Sequence, residues 1–404
     1  MTQQRPQSLI ADTPLLLQAI ILMAIGTVFV MSTATTQALQ QATTSPIGVL
    51  SKQVVLVVVA LGGLWAAERV PLQWIKRPLN ASILMGFVIL LLLLVLHPKI
   101  GVVRGGARRW LGKEPFMFQP SELAKIALVI VLAVFSERIK SKIQGIWHFL
   151  FATSLVLGTA VLVAKEDLGT SIVIVSGGLA VLCIAGARAR HMCLLIAVLA
   201  IGVAIAIMAE GHRSKRIGGW LDLWIHPYAN HQGVAYQGQQ GLLAFGLGGV
   251  GGVGIMRGSL KYSHLPAAET DFVFASIGEE TGLWGTILLT GLFLWMVVRG
   301  LTVAHKSTSW FSCLLASGLS AVIGAQALLN MLVATSMLPC TGVPLPFISF
   351  GGTSLVFTSV SMGLILNVSR ENSASPRQTR NREDTTGASD TDGRGNRRAH
   401  LSSP

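Results

Sequence analysis

Ten apolar segments, each about as long as a membrane is thick, dominate this chain of 404 residues. A helix rises about 1.5 Å per residue, so roughly 20 residues cross the ~30 Å of hydrocarbon in a bilayer. The backbone in lipid must satisfy its own hydrogen bonds, which predicts an all-α integral membrane protein with about ten transmembrane helices. The segments lie at 14–35, 49–67, 81–97, 119–136, 146–164, 168–186, 191–210, 271–298, 311–336 and 346–368.

The composition excludes an ordinary soluble protein. Hydrophobic residues make up 51% of the chain and charged residues only 12%, whereas about a quarter of the residues in soluble domains are charged. The formal net charge of +13 does not indicate nucleic-acid binding, because no nucleic-acid module accompanies it and basic loops suit anionic membrane surfaces. The four cysteines stand singly and are interpreted as packing residues: Cys183, Cys193, Cys313 and Cys340.

The chain divides into a short N-terminal tail, 1–13, a membrane core, 14–370, and a polar C-terminal tail, 371–404. The C-terminal tail has almost no apolar residues and is predicted to be disordered. Both termini are predicted to be cytoplasmic, because the tails give the inner segments an excess of lysine and arginine. This orientation leaves one long outer loop, 211–270, between helices seven and eight.

Two outer segments, 98–118 and 211–270, contain more positive charge than this topology predicts. Their basic residues are Lys99, Arg104, Arg108, Arg109 and Lys113 in the first segment, and Arg213, Lys215, Arg216, Arg257 and Lys261 in the second. Arginine binds phosphate oxygens bidentately, so Arg108 and Arg109, with Lys113, could hold a pyrophosphate at the membrane surface. The alternative is that these residues bind anionic lipid headgroups.

A helix start follows the first basic cluster. Proline is favoured at the first helical position, so Pro120 predicts a helix that enters the membrane there. Glu122 and Lys125 are three residues apart and share one face of that helix. Lys125 is interpreted either as a lysine that snorkels to the interface beside a local counter-ion or as a residue that faces substrate.

The long outer segment 211–270 combines tryptophans with a glycine-dense run from Gly246 to Gly254. Tryptophan favours the headgroup zone and glycine permits close backbone approach, so the segment is predicted to fold at the interface or re-enter the membrane. The alternative is a disordered glycine-rich loop.

Asp271 ends this segment and begins the eighth apolar run. Aspartate is favoured at helix starts, so one interpretation is a capping carboxylate, with Thr270 as a further cap. The other is a general base, which needs a raised pKa supplied by partial burial or by Glu269. Glu279, eight residues on, points within about 80° of Asp271 on a helix and is predicted to line the same cavity.

Six motifs, taken in order, resemble those of the SEDS family (shape, elongation, division and sporulation), which includes FtsW and RodA. The resemblance covers residues from about 14 to 370. The motifs are Gly106-Ala107-Arg108-Arg109-Trp110, Gln119-Pro120-Ser121-Glu122-Leu123-Ala124-Lys125, Asp167-Leu168-Gly169-Thr170, Leu265-Pro266 through Thr270-Asp271-Phe272, Gly278-Glu279-Glu280 and Pro344-Leu345-Pro346-Phe347-Ile348-Ser349-Phe350-Gly351-Gly352.

This resemblance implies a ten-helix glycosyltransferase that polymerises lipid II at the outer face of the bacterial cytoplasmic membrane. The family's essential aspartate corresponds to Asp271, which is the candidate base, and Arg108, Arg109 and Lys125 are candidates to hold the departing undecaprenyl pyrophosphate. The other residues expected to bind substrate are Gln119, Ser121, Glu122, Asp167, Lys261, Glu279 and Ser349. No metal-ligand cluster is evident, although a divalent cation (Mg²⁺ or Mn²⁺) could share the pyrophosphate-binding role.

The chain departs from the family pattern at several positions. Lys165-Glu166 stands where Gln-Pro is common, and Ala267 and Glu269 stand where glutamate and histidine are common. Lys261, before the Leu-Pro motif, favours the division-type FtsW branch. Expected partners are a class B penicillin-binding transpeptidase and other divisome or elongasome membrane proteins. Two alternatives stay open: a flippase for the lipid-linked precursor, with Lys125 and Glu279 as gating charges, and an inactive scaffold for the transpeptidase.

Overall fold

A computed structural model describes most of the chain as α-helix. The described residues are 12–40, 46–104, 107–113, 116–227, 229, 232–262 and 270–391. The helices are α1 (Thr13–Gln40), α2 (Pro46–Arg69), α3 (Leu72–Ile75), α4 (Pro78–Leu96), α5 (Pro120–Ile139), α6 (Ile146–Ala164), α7 (Leu168–Ile184), α8 (Ala189–Met208), α9 (Gly211–Ile225), α10 (Gly233–Gly248), α11 (Val273–His305), α12 (Trp310–Ala334) and α13 (Gly352–Thr391). Short 3₁₀ turns lie at Lys140–Gln144 and Leu260–Tyr262.

The ten predicted apolar segments each correspond to one long helix, so the predicted fold class is confirmed. Eight of the described helices, α1, α2, α4, α6, α8, α11, α12 and α13, are long and apolar enough to cross a membrane. The remaining two, α5 and α7, pack among them: α7 is a shorter apolar helix, and α5 contains Glu122 and Lys125. Because α5 is buried by α4, α7 and α12, these charged side chains do not face lipid.

Close contacts at small residues hold the centre of the bundle together. A Cβ atom added to Gly177 of α7 would lie 2.5 Å from Val322 Cγ2 of α12, and one added to Gly318 of α12 would lie 2.6 Å from Val129 Cγ1 of α5. Lipid provides no hydrophobic drive for helix association, so membrane helices rely on such close packing. The helices that support the candidate site are therefore rigidly joined.

The first basic outer segment forms a small antiparallel sheet between α4 and α5. Its strands are β1 (Val102–Arg104), β2 (Ala107–Lys113) and β3 (Phe116–Phe118), in the order β1-β2-β3. Val103 lies opposite Arg108, and Gly112 lies opposite Met117. The ladder satisfies backbone groups of a segment too polar for a membrane helix, and it fixes the position of β2 against α4 and α5.

The described part of the second basic outer segment is folded. It contains α9 and α10, followed by a glycine-rich stretch that packs on α11, so the segment is not a free loop over 211–227, 229 and 232–262. Its position at the membrane interface stays a prediction. A Cβ atom added to Gly248 would lie 2.1 Å from the carbonyl oxygen of Gly278. Only glycine permits this approach of α10 to α11, so the glycines serve contact rather than flexibility.

A break in α11 receives the glycine-rich stretch. Gly282 has φ 68° and ψ −162°, which interrupts the helix. The N–H groups of Val253 and Gly254 donate to the carbonyl oxygens of Glu279 and Glu280, each at 3.0 Å. The stretch thus satisfies carbonyls that the break removes from the helical pattern, as membrane proteins require where a helix is interrupted.

The last helix, α13, extends beyond its apolar part. The apolar part ends near Ser373, but the helix continues to Thr391. Residues 371–391, which the sequence predicts as disordered, therefore continue the helix, because extension of an existing helix avoids the cost of nucleation. The rest of the predicted tail, 392–404, lies outside the described residues, as do residues 1–11.

Candidate active site around Asp271

Asp271 lies in a turn just before α11 and is partly exposed. The N-cap residue of α11 is Phe272, without a side-chain capping bond, so the interpretation of Asp271 as the capping carboxylate is wrong. The reason is that α11 begins at Val273, two residues later than the apolar pattern predicts. The Asp271 carboxylate is therefore not used to cap the helix that follows it.

Two buried polar side chains fix the Asp271 turn. Asn330 Nδ2 of α12 donates to the carbonyl oxygen of Asp271 at 3.0 Å and to that of Val343 at 2.8 Å. Ser349 Oγ donates to the carbonyl oxygen of Thr270 at 2.6 Å and accepts from the N–H of Leu345 at 2.8 Å. Both side chains thus join the turn to segment 341–349.

Of these two residues, the sequence predicts Ser349 as a substrate-binding residue, but its hydroxyl is buried and its hydrogen bonds go to the backbone. Asn330 was not identified from the sequence. One feature of the sequence could have identified it: Asn330 is an amide inside the apolar run 311–336, and polar side chains within a membrane segment usually have a structural or functional role.

Arg109, on β2, forms the charged contact closest to this turn. Its Nη1 lies 2.8 Å from Asp167 Oδ2, and Gln119 Nε2 donates to the same oxygen at 3.4 Å. Asp167 Oδ1 accepts from the N–H of Thr170, so this carboxylate also caps α7. The structure thus brings together three residues that the sequence predicts for the site, Arg109, Gln119 and Asp167.

Gly342 lies between Arg109 and Asp271. It has φ 74°, and a Cβ atom added there would lie 3.6 Å from both Arg109 Nη1 and Asp271 Oδ2. The two atoms are therefore at most twice that distance apart. The positive φ favours glycine at this position.

The surroundings of Asp271 raise the pKa of its carboxyl to about 6. Burial is the largest cause and the negative charge of Asp167 adds to it, while the positive charges of Arg109 and Arg216 oppose the shift. Burial alone would lower the pKa of Arg109, but Asp167, and then Asp271, outweigh burial and raise it. Burial is one of the two causes predicted for Asp271; the other, Glu269, lies outside the described residues.

Arg108 does not join Arg109 at the site. Successive side chains of a strand point to opposite faces, so β2 directs Arg108 away from Arg109, and the binding of one pyrophosphate by both arginines stays a prediction. The aliphatic part of Arg108 lies against Gly101, and its backbone N–H donates to Glu166 Oε2 at 2.8 Å. Glu166, one of the departures from the family pattern, therefore helps to hold β2 in place.

Lys125 has a structural environment. Its Nζ lies 2.7 Å from Glu122 Oε2 and donates to Gln326 Oε1 at 2.6 Å. Gln326 Nε2 in turn donates to the carbonyl oxygen of Pro344 at 3.0 Å. Lys125 and Glu122 are buried, so Lys125 does not snorkel to the interface. Its described bonds go to Glu122 and Gln326, and its role as a pyrophosphate ligand stays a prediction. Ser121 is buried in the same first turn of α5.

Glu279 also lies apart from Asp271. Its Oε1 accepts from the N–H groups of Ser259, at 2.6 Å, and Leu260, at 3.2 Å. Lys261 Nζ lies 2.6 Å from Glu280 Oε1. These buried groups hold segment 256–261 against α11, and none of their described bonds reaches the Asp271 turn. The described bonds of Glu279 thus go to segment 259–260, and the prediction that Glu279 lines the same cavity as Asp271 stays a prediction.

No group of three or more histidine, cysteine, aspartate or glutamate side chains that could hold a metal ion occurs in the described part of the chain. A divalent cation bound together with a diphosphate stays a proposal.

Comparisons with known proteins agree with these observations. A family model described as a cell cycle protein, for FtsW, RodA and SpoVE, matches residues 12–374. The chain is 36% identical over 312 residues to a probable peptidoglycan glycosyltransferase FtsW of Coxiella burnetii. The aligned region covers 76% of this chain and 82% of that protein.

Solved structures give the same result. One chain, from work on the structural coordination of polymerization and crosslinking by a peptidoglycan synthase complex, has a TM-score of 0.72 at 28% identity and covers 90% of this chain and 98% of that chain. The rod shape determining protein RodA of Thermus thermophilus has a TM-score of 0.65 at 25% identity, with 90% and 97% covered.

Proposed function

Because this chain belongs to the family of FtsW, RodA and SpoVE, we propose that it is a peptidoglycan glycosyltransferase that polymerises lipid II. The observation that carries this proposal is that a partly buried carboxyl of raised pKa, Asp271, and the guanidinium of Arg109 both border Gly342 at one end of the helix bundle. Transfer of a sugar from a diphosphate requires a base to accept the proton of the attacking hydroxyl and a cation to stabilise the departing diphosphate.

In the proposed reaction, ionised Asp271 accepts the proton of the acceptor sugar's 4-hydroxyl. That oxygen bonds to the anomeric carbon of the donor sugar, while the bond from this carbon to the diphosphate oxygen breaks and undecaprenyl pyrophosphate leaves with the electron pair. Attack opposite to the leaving group inverts the anomeric centre. Arg109 stabilises the negative charge, and Asp167 holds the guanidinium in place.

The orientation and partners belong to the same proposal. With both termini cytoplasmic, the Asp271 end of the bundle lies at the outer face, where polymerisation takes place. A class B penicillin-binding transpeptidase and other divisome membrane proteins are the proposed partners, with a division role favoured by Lys261. The similarity to a chain of a peptidoglycan synthase complex supports the proposal that this protein acts within an assembly.

The test is polymerisation of labelled lipid II by the purified full-length chain in detergent, with and without a class B transpeptidase. We expect glycan polymer from the wild type, and a loss of roughly 10²–10⁴-fold in rate for Asp271→Asn, which cannot accept the proton. Asp222→Asn is the control, because Asp222 is an exposed aspartate on α9 whose carboxylate lies beside His226.

Two results would oppose the proposal. Transport of lipid II across liposomes without polymer would favour a flippase, although Lys125 and Glu279, the predicted gating charges, are both held by buried bonds. Unchanged polymerisation by Asp271→Asn would remove Asp271 from the reaction.

A further inference from the structure

One face of α9 packs against the protein. Arg213, Arg216, Trp220 and Trp224 are spaced so that they share this face of the helix. The indole Nε1 groups of Trp220 and Trp224 donate to the carbonyl oxygen of Ser336 at 2.8 and 3.1 Å. These bonds fix α9 over the segment that follows α12, so Arg216, one turn before Trp220, points towards segment 336–342.

Segment 336–342 also borders Asp271. Arg216 Nη1 donates to the carbonyl oxygen of Cys340 at 3.4 Å, and Gly342 adjoins both Asp271 and Arg109. The positive charge of Arg216 acts on the Asp271 carboxyl, whose pKa it lowers. Arg216 and Arg109 therefore approach Asp271 from two different elements, α9 and β2.

Three arginines at this end of the bundle, Arg109, Arg213 and Arg216, differ in how their charge is balanced. Arg109 pairs with Asp167 at 2.8 Å, and Arg213 pairs with Glu210 at 3.1 Å. Arg213 also donates to the carbonyl oxygens of Ala164 and Lys165, so it is a structural residue. No carboxylate pairs with Arg216 in the described part of the chain, and its described hydrogen bond is a single long one to a carbonyl.

A guanidinium carries five N–H donors in a planar fork that matches phosphate oxygens. A positive charge that lies next to a candidate base and has no acidic partner is suited to an anionic ligand, because binding need not break an existing ion pair. The donor sugar in the proposed reaction is attached to such an anion, a diphosphate.

We propose that Arg216 binds the diphosphate of the lipid-linked donor and stays bound to it as it departs. This inference rests on the proposed function and adds to it: Arg109 is held in place by Asp167, whereas Arg216 supplies charge that the protein does not neutralise. The sequence indicates phosphate binding by the first basic cluster, which contains Arg109; Arg216 adds a residue of the second cluster.

Arg216→Gln tests the inference, because it removes the charge and keeps a polar side chain. We expect kcat/KM for lipid II to fall roughly 10- to 100-fold, the loss typical of a charge-assisted hydrogen bond. Inhibition by added farnesyl diphosphate, a soluble analogue of the product, should weaken by a similar factor. Lys215→Gln, an exposed neighbour of equal charge on the same helix, should leave both quantities within about twofold.

The outcomes separate the two proposals. A wild type that makes no polymer with any partner contradicts the proposed function. A wild type that polymerises, together with Arg216→Gln that retains both kcat/KM and diphosphate inhibition within twofold, overturns the inference alone. If thermal unfolding shows that Arg216→Gln does not fold, Arg216→Lys decides: several-fold weaker inhibition supports bidentate binding, and wild-type inhibition contradicts it.

Discussion

At the scale of single residues, the position of Asp271 depends on side chains that do no chemistry. Asn330 reaches two backbone carbonyls, one in the Asp271 turn and one at Val343, and it lies in the core of α12. A misplacement of about 1 Å at a reacting group costs roughly 100-fold in rate. Asn330 should therefore affect catalysis as well as stability.

We expect Asn330→Ala to lower the free energy of unfolding by ~1–3 kcal/mol, because two buried carbonyls lose their donor, and to lower kcat at least tenfold. Asn367→Ala is the matched control. Asn367 donates to the carbonyl oxygens of Ala67 and Val70, at 2.9 and 2.6 Å, in a different part of the bundle. It should destabilise the protein similarly but leave kcat unchanged. Equal effects of both variants on kcat would show that Asn330 acts through stability alone.

At the scale of elements, the break in α11 connects the glycine-rich stretch to the helix that follows Asp271. Gly282 adopts a backbone conformation that is essentially limited to glycine, and a Cβ atom there would lie 2.4 Å from the backbone nitrogen of Gly252. The break is thus a fixed part of the fold rather than a flexible joint.

Gly282→Ala should destabilise the protein by more than ~1–3 kcal/mol, the cost of the backbone strain alone. Gly291→Ala, in the same helix, meets nothing within 4 Å and should be neutral or stabilising by up to ~1 kcal/mol, because alanine is the better helix former. Thermal unfolding of both variants in detergent measures the difference. Equal unfolding temperatures would show that the contact at Gly282 does not matter for stability.

The sequence predicts the membrane helices well, because apolar length alone determines them. It does not predict the sheet of 102–118 or helices α9 and α10, since interfacial segments lack a long apolar run. The break at Gly282 is not predicted either, because it lies inside one predicted membrane segment, 271–298, and a single glycine there does not indicate an interruption. Short-range patterns therefore identify which segments cross the membrane but not how the outer segments fold.

The candidate site shows the same limit. Asp271, Arg109, Asp167 and Gln119 were predicted from charge and motif, and the structure groups them. The contact between Lys125 and Gln326 is not predicted, because the two residues are 201 positions apart in the chain and no local pattern relates them.

At the scale of the whole molecule, the fold separates polar groups that hold the bundle together from polar groups that belong to the candidate site. Buried polar contacts, such as Lys125 with Gln326 and Lys261 with Glu280, join different elements inside the bundle. The group around Asp271 instead lies at the end of the bundle, where β2, α9, α11 and segment 341–349 meet. One end of a rigid scaffold thus carries the proposed chemistry.

The dependence of the initial polymerisation rate on pH tests the role of Asp271 most directly. Only the ionised carboxylate can accept a proton, so the wild-type rate should fall roughly tenfold per pH unit below about 6 and level off above it. Asp167→Asn removes a negative charge that raises the pKa of Asp271 and frees Arg109 to lower it, so its midpoint should move to lower pH. A wild-type rate that is constant from about pH 5 to 8, or a midpoint that rises in Asp167→Asn, would contradict the assignment of Asp271 as the base.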